Sequence, residues 1–290
     1  MSATQPVLKG VHHTARPTWK LRETVEFYRD KLGLPLVHAI SARGWGPANH
    51  PDFLHFFFES GKSSTIAFFY YIDTEQPDYT QPVDDYRYEA THTAWAVDTY
   101  DELIAWRQRL EDQGIPLIYQ IRHELIESIY FRDPNGYYLE ITTQQRPMNV
   151  LDSNDARRTL EAAMQAEDAG RSGKAEFKSI DQVWRAKAQG IRESASESIG
   201  ERGEENAVLY VLDVSEFEPL IASSKANPSS QVEGPIDGYW VIHSPEAIVF
   251  ERKALGFEPA LWNASLTGGF AGEIKTFDRY TLEITPRTRQ

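Results

Sequence analysis

The chain has 290 residues, 41% of them hydrophobic, and a net charge of −13. An average field of that sign repels nucleic acid and anionic membrane surfaces, so neither is expected as a partner. There is no cysteine, which rules out disulfides, thiolate ligands and cysteine nucleophiles and leaves His, Asp, Glu and backbone oxygens to build any metal site.

The opening MSATQPVLKG lacks the apolar stretch of a signal peptide, and no run reaches 18 consecutive apolar residues. A cytoplasmic protein is therefore expected. Aromatic residues make up 12% of the chain, which suits a sizeable apolar pocket and suits a large aromatic core equally well.

Residues 11–16 (VHHTAR) predict a short strand. Leu21, Val25, Tyr28 and Leu32 fall on one helical stripe, and Gly33 follows as a C-terminal stop. Three strands are predicted next, at Leu36–Ala42, Phe53–Glu59 and Thr65–Ile72. The order then repeats. Thr91–Val97 predicts a strand, and Tyr100–Gln113 predicts a helix with Leu103, Trp106 and Leu110 on its stripe, closed by Gly114. Strands at Leu117–Ile121, Ser128–Arg132 and Tyr137–Thr142 complete the second unit. A repeat of this size implies two similar βαβββ units packed as a pseudo-symmetric pair, an α+β arrangement.

After Arg146-Pro147 the composition changes. Residues 1–147 are read as the paired domain, 148–205 as a helical and polar connecting segment, and 206–290 as a β-rich region of unassigned role. In the connecting segment, Ile180, Val183, Trp184, Lys187 and Ile191 have helical spacing, while Glu193–Glu205 reads as a solvated linker. Further strands are expected over 207–214, 239–243, 273–277 and 280–285. The run FDRYTLEIT near the end echoes FRDPNGYYLEIT earlier, a thin hint of a third, degenerate unit.

His13 and His92 occupy matching positions at the start of the two units, and Glu140 lies on the last strand of the second. A single histidine on a half-buried strand is more often structural than a ligand. Two in matching places with a carboxylate form a facial triad, which leaves three positions of an octahedral metal open for substrate and O2. The counterpart of Glu140 in the first unit is approximately Ala67, so a fourth donor is missing.

The stretches GVHHTARP with TVEFYRDKLGL, and THTAWAVDTYDEL, resemble the openings of paired vicinal-oxygen-chelate modules, the glyoxalase/bleomycin-resistance/dioxygenase superfamily. In that superfamily the second His of the pair is the ligand, which implies His13. IRHELIESIYFRDPNGYYLE resembles the type I extradiol dioxygenase signature through His123, Tyr130, Asp133, Pro134, Gly136 and Glu140. The resemblance covers about residues 8–145. It implies a curved mixed β-sheet around a metal site, with the C-terminal helical and β-rich region as an extension. It also implies His123 and Tyr130 as groups that hydrogen-bond bound substrate or an oxygen intermediate, where the bland readings are a surface His and a core Tyr.

One departure concerns an acid/base histidine that extradiol enzymes carry on the last strand of the first module. Here SSTIAFF places Ser64 at that position, and an unassisted hydroxyl is a poor proton carrier near neutrality. His55, in FLHFFF, could substitute, or it could be a core residue of a Phe-rich strand. His38 and His50 have weaker claims. The expected function is cleavage of a small catechol-like aromatic by O2 with Fe(II), or with Mn(II) or another divalent metal. Alternatives are an isomerase, lyase or hydrolase of the same superfamily, and a non-catalytic protein that sequesters an aromatic ligand. A homo-oligomer is compatible with all of these.

Overall fold

The computed structural model describes residues 8–44, 50–174, 176–194 and 206–287. The chain divides into two compact units. The first runs to Ile121 and resumes over Ile126–Gln145, and the second comprises Arg122–Leu125 and the chain from Arg146.

The first unit holds both repeats. In chain order its elements are β1 (His13–Thr18), α1 (Leu21–Val25, continued as a π-helical turn over Glu26–Lys31), β2 (Leu36–Ala42), β3 (Phe53–Glu59) and β4 (Thr65–Tyr71). Then follow α2 (Tyr86–Glu89), β5 (Thr93–Val97), α3 (Tyr100–Asp112), β6 (Leu117–Arg122), β7 (Ile126–Arg132) and β8 (Tyr138–Gln144). Each repeat forms its own four-stranded sheet, ordered β1-β4-β3-β2 and β5-β8-β7-β6. In both, the first strand runs parallel to the last, with Ala15 beside Ala67 and Ala94 beside Glu140.

Alternation along these strands separates two faces. Phe56, Phe58, Ile66 and Phe68 pack with Phe27, Tyr28 and Leu32 from the helix, and all are at most 5% exposed. The wider π turn is what turns the adjacent Phe27 and Tyr28 both inward, a local departure from the regular helix that the apolar spacing predicts. In the second repeat Ile129, Phe131, Leu139 and Ile141 lie under Leu103 and Leu110 of α3. That helix starts with a capping box in which Thr99 and Glu102 satisfy each other's backbone N–H. The two repeats share one apolar core.

A buried polar knot also ties the repeats together. The Asp133 carboxylate accepts from Tyr28 Oη (3.0 Å), from the backbone N–H of Asn135 (2.8 Å) and of Tyr137 (2.9 Å), and from Asn135 Nδ2 (3.1 Å). Asn135 in turn hydrogen-bonds Thr24 of α1 and Thr18 of β1. Gly136 closes the turn at φ +86°, and a Cβ there would lie 2.3 Å from Pro82 Cγ. The Asp-Pro-x-Gly part of the signature is therefore a joint between modules.

The second unit contains α4 (Val150–Arg171), α5 (Ile180–Ser194), β9 (Ala207–Leu212), α6 (Glu218–Ala226), β10 (Gln231–Ile236), β11 (Tyr239–Ser244) and β12 (Ile248–Glu251). It continues with α7 (Arg252–Leu255), α8 (Pro259–Asn263), β13 (Phe270–Ala271), β14 (Glu273–Phe277) and β15 (Thr281–Thr285). Its sheets are ordered β10-β11-β9-β13 and β12-β15-β14. Ala188 and Ile191 of α5 belong to its core, with Leu151 and Trp184 packed against it, so the helices expected to connect two domains are part of this unit's packing. Of the expected polar linker, Glu193 and Ser194 close α5 and 195–205 lie outside the described residues. The LEIT echo does not extend the repeat. β15 is antiparallel to both of its neighbours, whereas β8 runs parallel to β5 and antiparallel to β7. Among the described residues, no helix is long and apolar enough to cross a membrane.

Candidate metal centre

Glu140 sits mid-strand on β8, on the face opposite the core, and is only 3% exposed. Tyr130 stands beside it on β7 by strand register. His92 immediately precedes β5 and brings its Nε2 to 2.9 Å from Glu140 Oε2. The other ring nitrogen of His92, Nδ1, lies 2.9 Å from the backbone carbonyl of Glu89 at the end of α2. A carbonyl only accepts, so Nδ1 carries a proton, and a neutral ring would then turn its Nε2 lone pair toward a carboxylate oxygen. Two lone pairs at that separation need a positive charge on or between them. A proton on the ring supplies one, and a bound cation supplies another. Ligating histidines commonly have their second nitrogen anchored on a carbonyl in this way.

Three tyrosines surround the pair. Tyr130 and Tyr138 lie 6.2 and 6.1 Å from the His92 ring, centroid to centroid, and Tyr119 lies 4.8 Å from Tyr130. The hydroxyls of Tyr138 and Tyr119 are hydrogen-bonded to each other. Burial, followed by the Glu140 charge, pushes the Tyr130 phenol up to about 12, so it stays a donor at neutral pH.

His13 lies elsewhere. Its Nδ1 is 2.9 Å from His12 Nδ1, and its ring meets Phe57 edge-on at 5.8 Å. Among the described residues, no three His, Asp or Glu side chains come together closely enough to hold a metal ion. The nitrogen and oxygen donors of His92 and Glu140 fit a divalent metal; the expected third donor does not join them in this conformation.

His55 is 5% exposed, stacked on Phe69 at 3.7 Å with 6° between the rings, and its Nδ1 is 3.1 Å from the Phe68 carbonyl. Burial lowers its pKa, and the neighbouring His13 and His38 add to that lowering. Ser64 lines a hollow of about 530 Å³ with Ala94, Ala96, Glu102 and Trp106, a lining that includes neither His92 nor Glu140. His123 is half-buried in the four-residue stretch that groups with the second unit. His38 packs against Phe57, and His50 against Phe53 and Tyr71. His50 also borders a hollow of about 570 Å³ walled by Trp19, Phe69, Tyr71 and Tyr79.

Sequence reasoning does not find Glu89, Tyr138 or Tyr119. A four-residue helix has no period to read. Only the alternation on β8, which puts Tyr138 on the face of Glu140, signals any of them.

Residues 10–141 match the model of the Glyoxalase/Bleomycin resistance protein/Dioxygenase superfamily. The match spans most of the first unit, which is thus similar to that superfamily, the vicinal-oxygen-chelate group. Similar solved structures include a lactoylglutathione lyase from Agrobacterium tumefaciens, 22% identical, covering 47% of this chain and 94% of that one, with a TM-score of 0.33. A glyoxylase/bleomycin resistance protein/dioxygenase domain from Frankia sp. is 20% identical, covering 48% and 100%, with a TM-score of 0.35. A glyoxalase/dioxygenase from Nostoc punctiforme is 18% identical, covering 50% and 100%, with a TM-score of 0.36. Likenesses this distant bear on neither substrate nor chemistry.

Proposed function

We propose that the first unit is a divalent-metal enzyme acting on a small aromatic with adjacent oxygens, and that its reaction is extradiol-type ring cleavage by O2 with Fe(II). The observation that carries this reading is the His92–Glu140 pair at 2.9 Å, with His92 anchored behind on the Glu89 carbonyl. His92 and Glu140 would hold the metal, with His13 as the proposed third donor. A divalent metal bound there would act as a Lewis acid, lowering the pKa of a substrate hydroxyl and placing the diol beside O2.

The protein's own groups have defined tasks. Glu140, almost fully buried, contributes the negative charge that offsets the cation. Tyr130, protonated at neutral pH, donates to a substrate oxygen. Ser64 stands where such enzymes carry their acid/base histidine. That substitution favours, as a second reading, another chelate-type reaction: isomerisation, elimination or hydrolysis.

The test is anaerobic purification, metal analysis, reconstitution with Fe(II), and an oxygen electrode with a panel of substituted catechols. Oxygen uptake with yellow ring-opened product is expected. Iron in the site without uptake across the panel would defeat ring cleavage and favour the second reading. A protein that takes up no divalent metal would defeat both.

A further inference from the structure

We infer that Arg132 is a positioning residue for His92, acting through α2. This inference rests on the proposed metal centre. Arg132 ends β7 beside Tyr138, and its guanidinium lies 6.0 Å from the centroid of the Tyr88 ring and 5.4 Å from that of the Tyr138 ring. Its Nη2 lies 3.5 Å from Glu89 Oε1 and 3.1 Å from Asp84 Oδ1, and its Nη1 donates to the Gly136 carbonyl at 3.2 Å. One guanidinium therefore ties the segment around α2 to the β7–β8 turn.

The tie matters because of what the segment carries. α2 is a single turn, too short to be stable by itself, so packing must fix its position. Its last residue, Glu89, presents the carbonyl that takes the His92 Nδ1–H. Tyr138, beneath the same guanidinium, packs against the His92 ring. Arg132 thus holds the carbonyl behind the imidazole and the ring beside it. The guanidinium's planar fork suits this multiple contact, and a lysine would reproduce the charge without the fork.

The experiment is proton NMR of the full-length, metal-free protein, following the hydrogen-bonded His92 Nδ1–H resonance, which is identified by its loss in His92→Gln. The resonance should be present in wild type and lost or broadened in Arg132→Ala. Should Arg132→Ala fail to fold, the double variant Asp84→Asn/Glu89→Gln removes the same anchors from exposed or half-exposed positions and keeps the Glu89 carbonyl; it should show the same loss. A resonance that persists in either folded variant overturns the inference. Cobalt(II) titration supplies a second readout: Arg132→Ala should bind about 10- to 100-fold more weakly, and Arg132→Lys should fall between it and wild type. Cobalt binding that depends on His92 and Glu140 but ignores Arg132 would refute the positioning role while sparing the metal centre. No cobalt binding by wild type would instead count against the metal centre, leaving the NMR result to decide on Arg132.

Discussion

Ala67 and Glu140 hold equivalent places in the two modules, each beside the alanine of its module's first strand. One module thus offers a buried carboxylate where the other offers a methyl group, so the proposed metal centre would draw its carboxylate from the second module alone. Glu140→Ala makes the two places alike. It should abolish divalent-metal uptake by equilibrium dialysis while changing the melting temperature little, because it also removes the cost of burying a carboxylate. The reverse change, Ala67→Glu, puts a carboxylate at a position with 0% exposure beside Phe57. It should destabilise by on the order of 3 kcal/mol or more. A stable Ala67→Glu protein would show that this face has room for a second carboxylate.

Asp133 accepts four donors and can return none while ionised, so an amide in its place sets N–H against N–H or O–H. Asp133→Asn should cost ~1–3 kcal/mol in urea unfolding. Burial raises the Asp133 pKa in spite of its donors. The folded protein then binds more protons than the unfolded one between the ordinary carboxylate value, about 4, and the raised folded value. This group's contribution is complete below that window and is lost as pH rises through it. The slope should vanish in Asp133→Asn, and an unchanged slope would assign it to other groups.

Two glycines separate strain from crowding. Gly61 (φ +94°) and Gly136 (φ +86°) share the left-handed region, but a Cβ on Gly61 meets nothing within 4 Å while one on Gly136 meets Pro82. Gly61→Ala should therefore cost about 1 kcal/mol, from backbone strain alone. Gly136→Ala should cost clearly more, and equal losses on thermal melting would mean that Pro82 gives way freely.

Much of the first unit was legible because its strands alternate and its helices carry apolar stripes. The β2 and β3 bounds follow directly from the sequence, and β4 ends one residue earlier than expected. The second unit was harder to read for physical reasons. The buried residues of α4 are Asp155 and Ala162, a charge and a small side chain, so no apolar stripe betrays a helix of 22 residues. Asp155 is buried because Lys187 and Tyr239 reach it, at 2.5 and 2.7 Å, a partnership no local pattern encodes. β10 carries Gly234-Pro235, which reads as a turn and is tolerated because the strand lies at a sheet edge. At the site, the structure puts His92 and Tyr130 beside Glu140, while the sequence reading joins His92 and Glu140 to His13. The matching places of His13 and His92 in two modules did not by themselves make their side chains converge.

Ser64 and His55 offer two accounts of the absent acid/base histidine. His55 is held by stacking on Phe69 and by the Phe68 carbonyl, contacts that make it a packed core ring. His55→Leu should accordingly cost about 1 kcal/mol by removing the hydrogen bond to that carbonyl, and turnover per bound metal should fall less than about threefold, against the 100-fold or more expected for loss of a well-matched proton carrier. Ser64 borders open space, so Ser64→His has room for the ring. If ring cleavage is the reaction, this variant should match or exceed wild-type turnover in the oxygen electrode, whereas Tyr130→Phe, which deletes the donor beside Glu140, should lower it. Loss of all activity in Ser64→Ala with metal content intact would give the serine a direct part in the chemistry. A collapse of turnover in His55→Leu with the fold intact would make His55 the proton carrier.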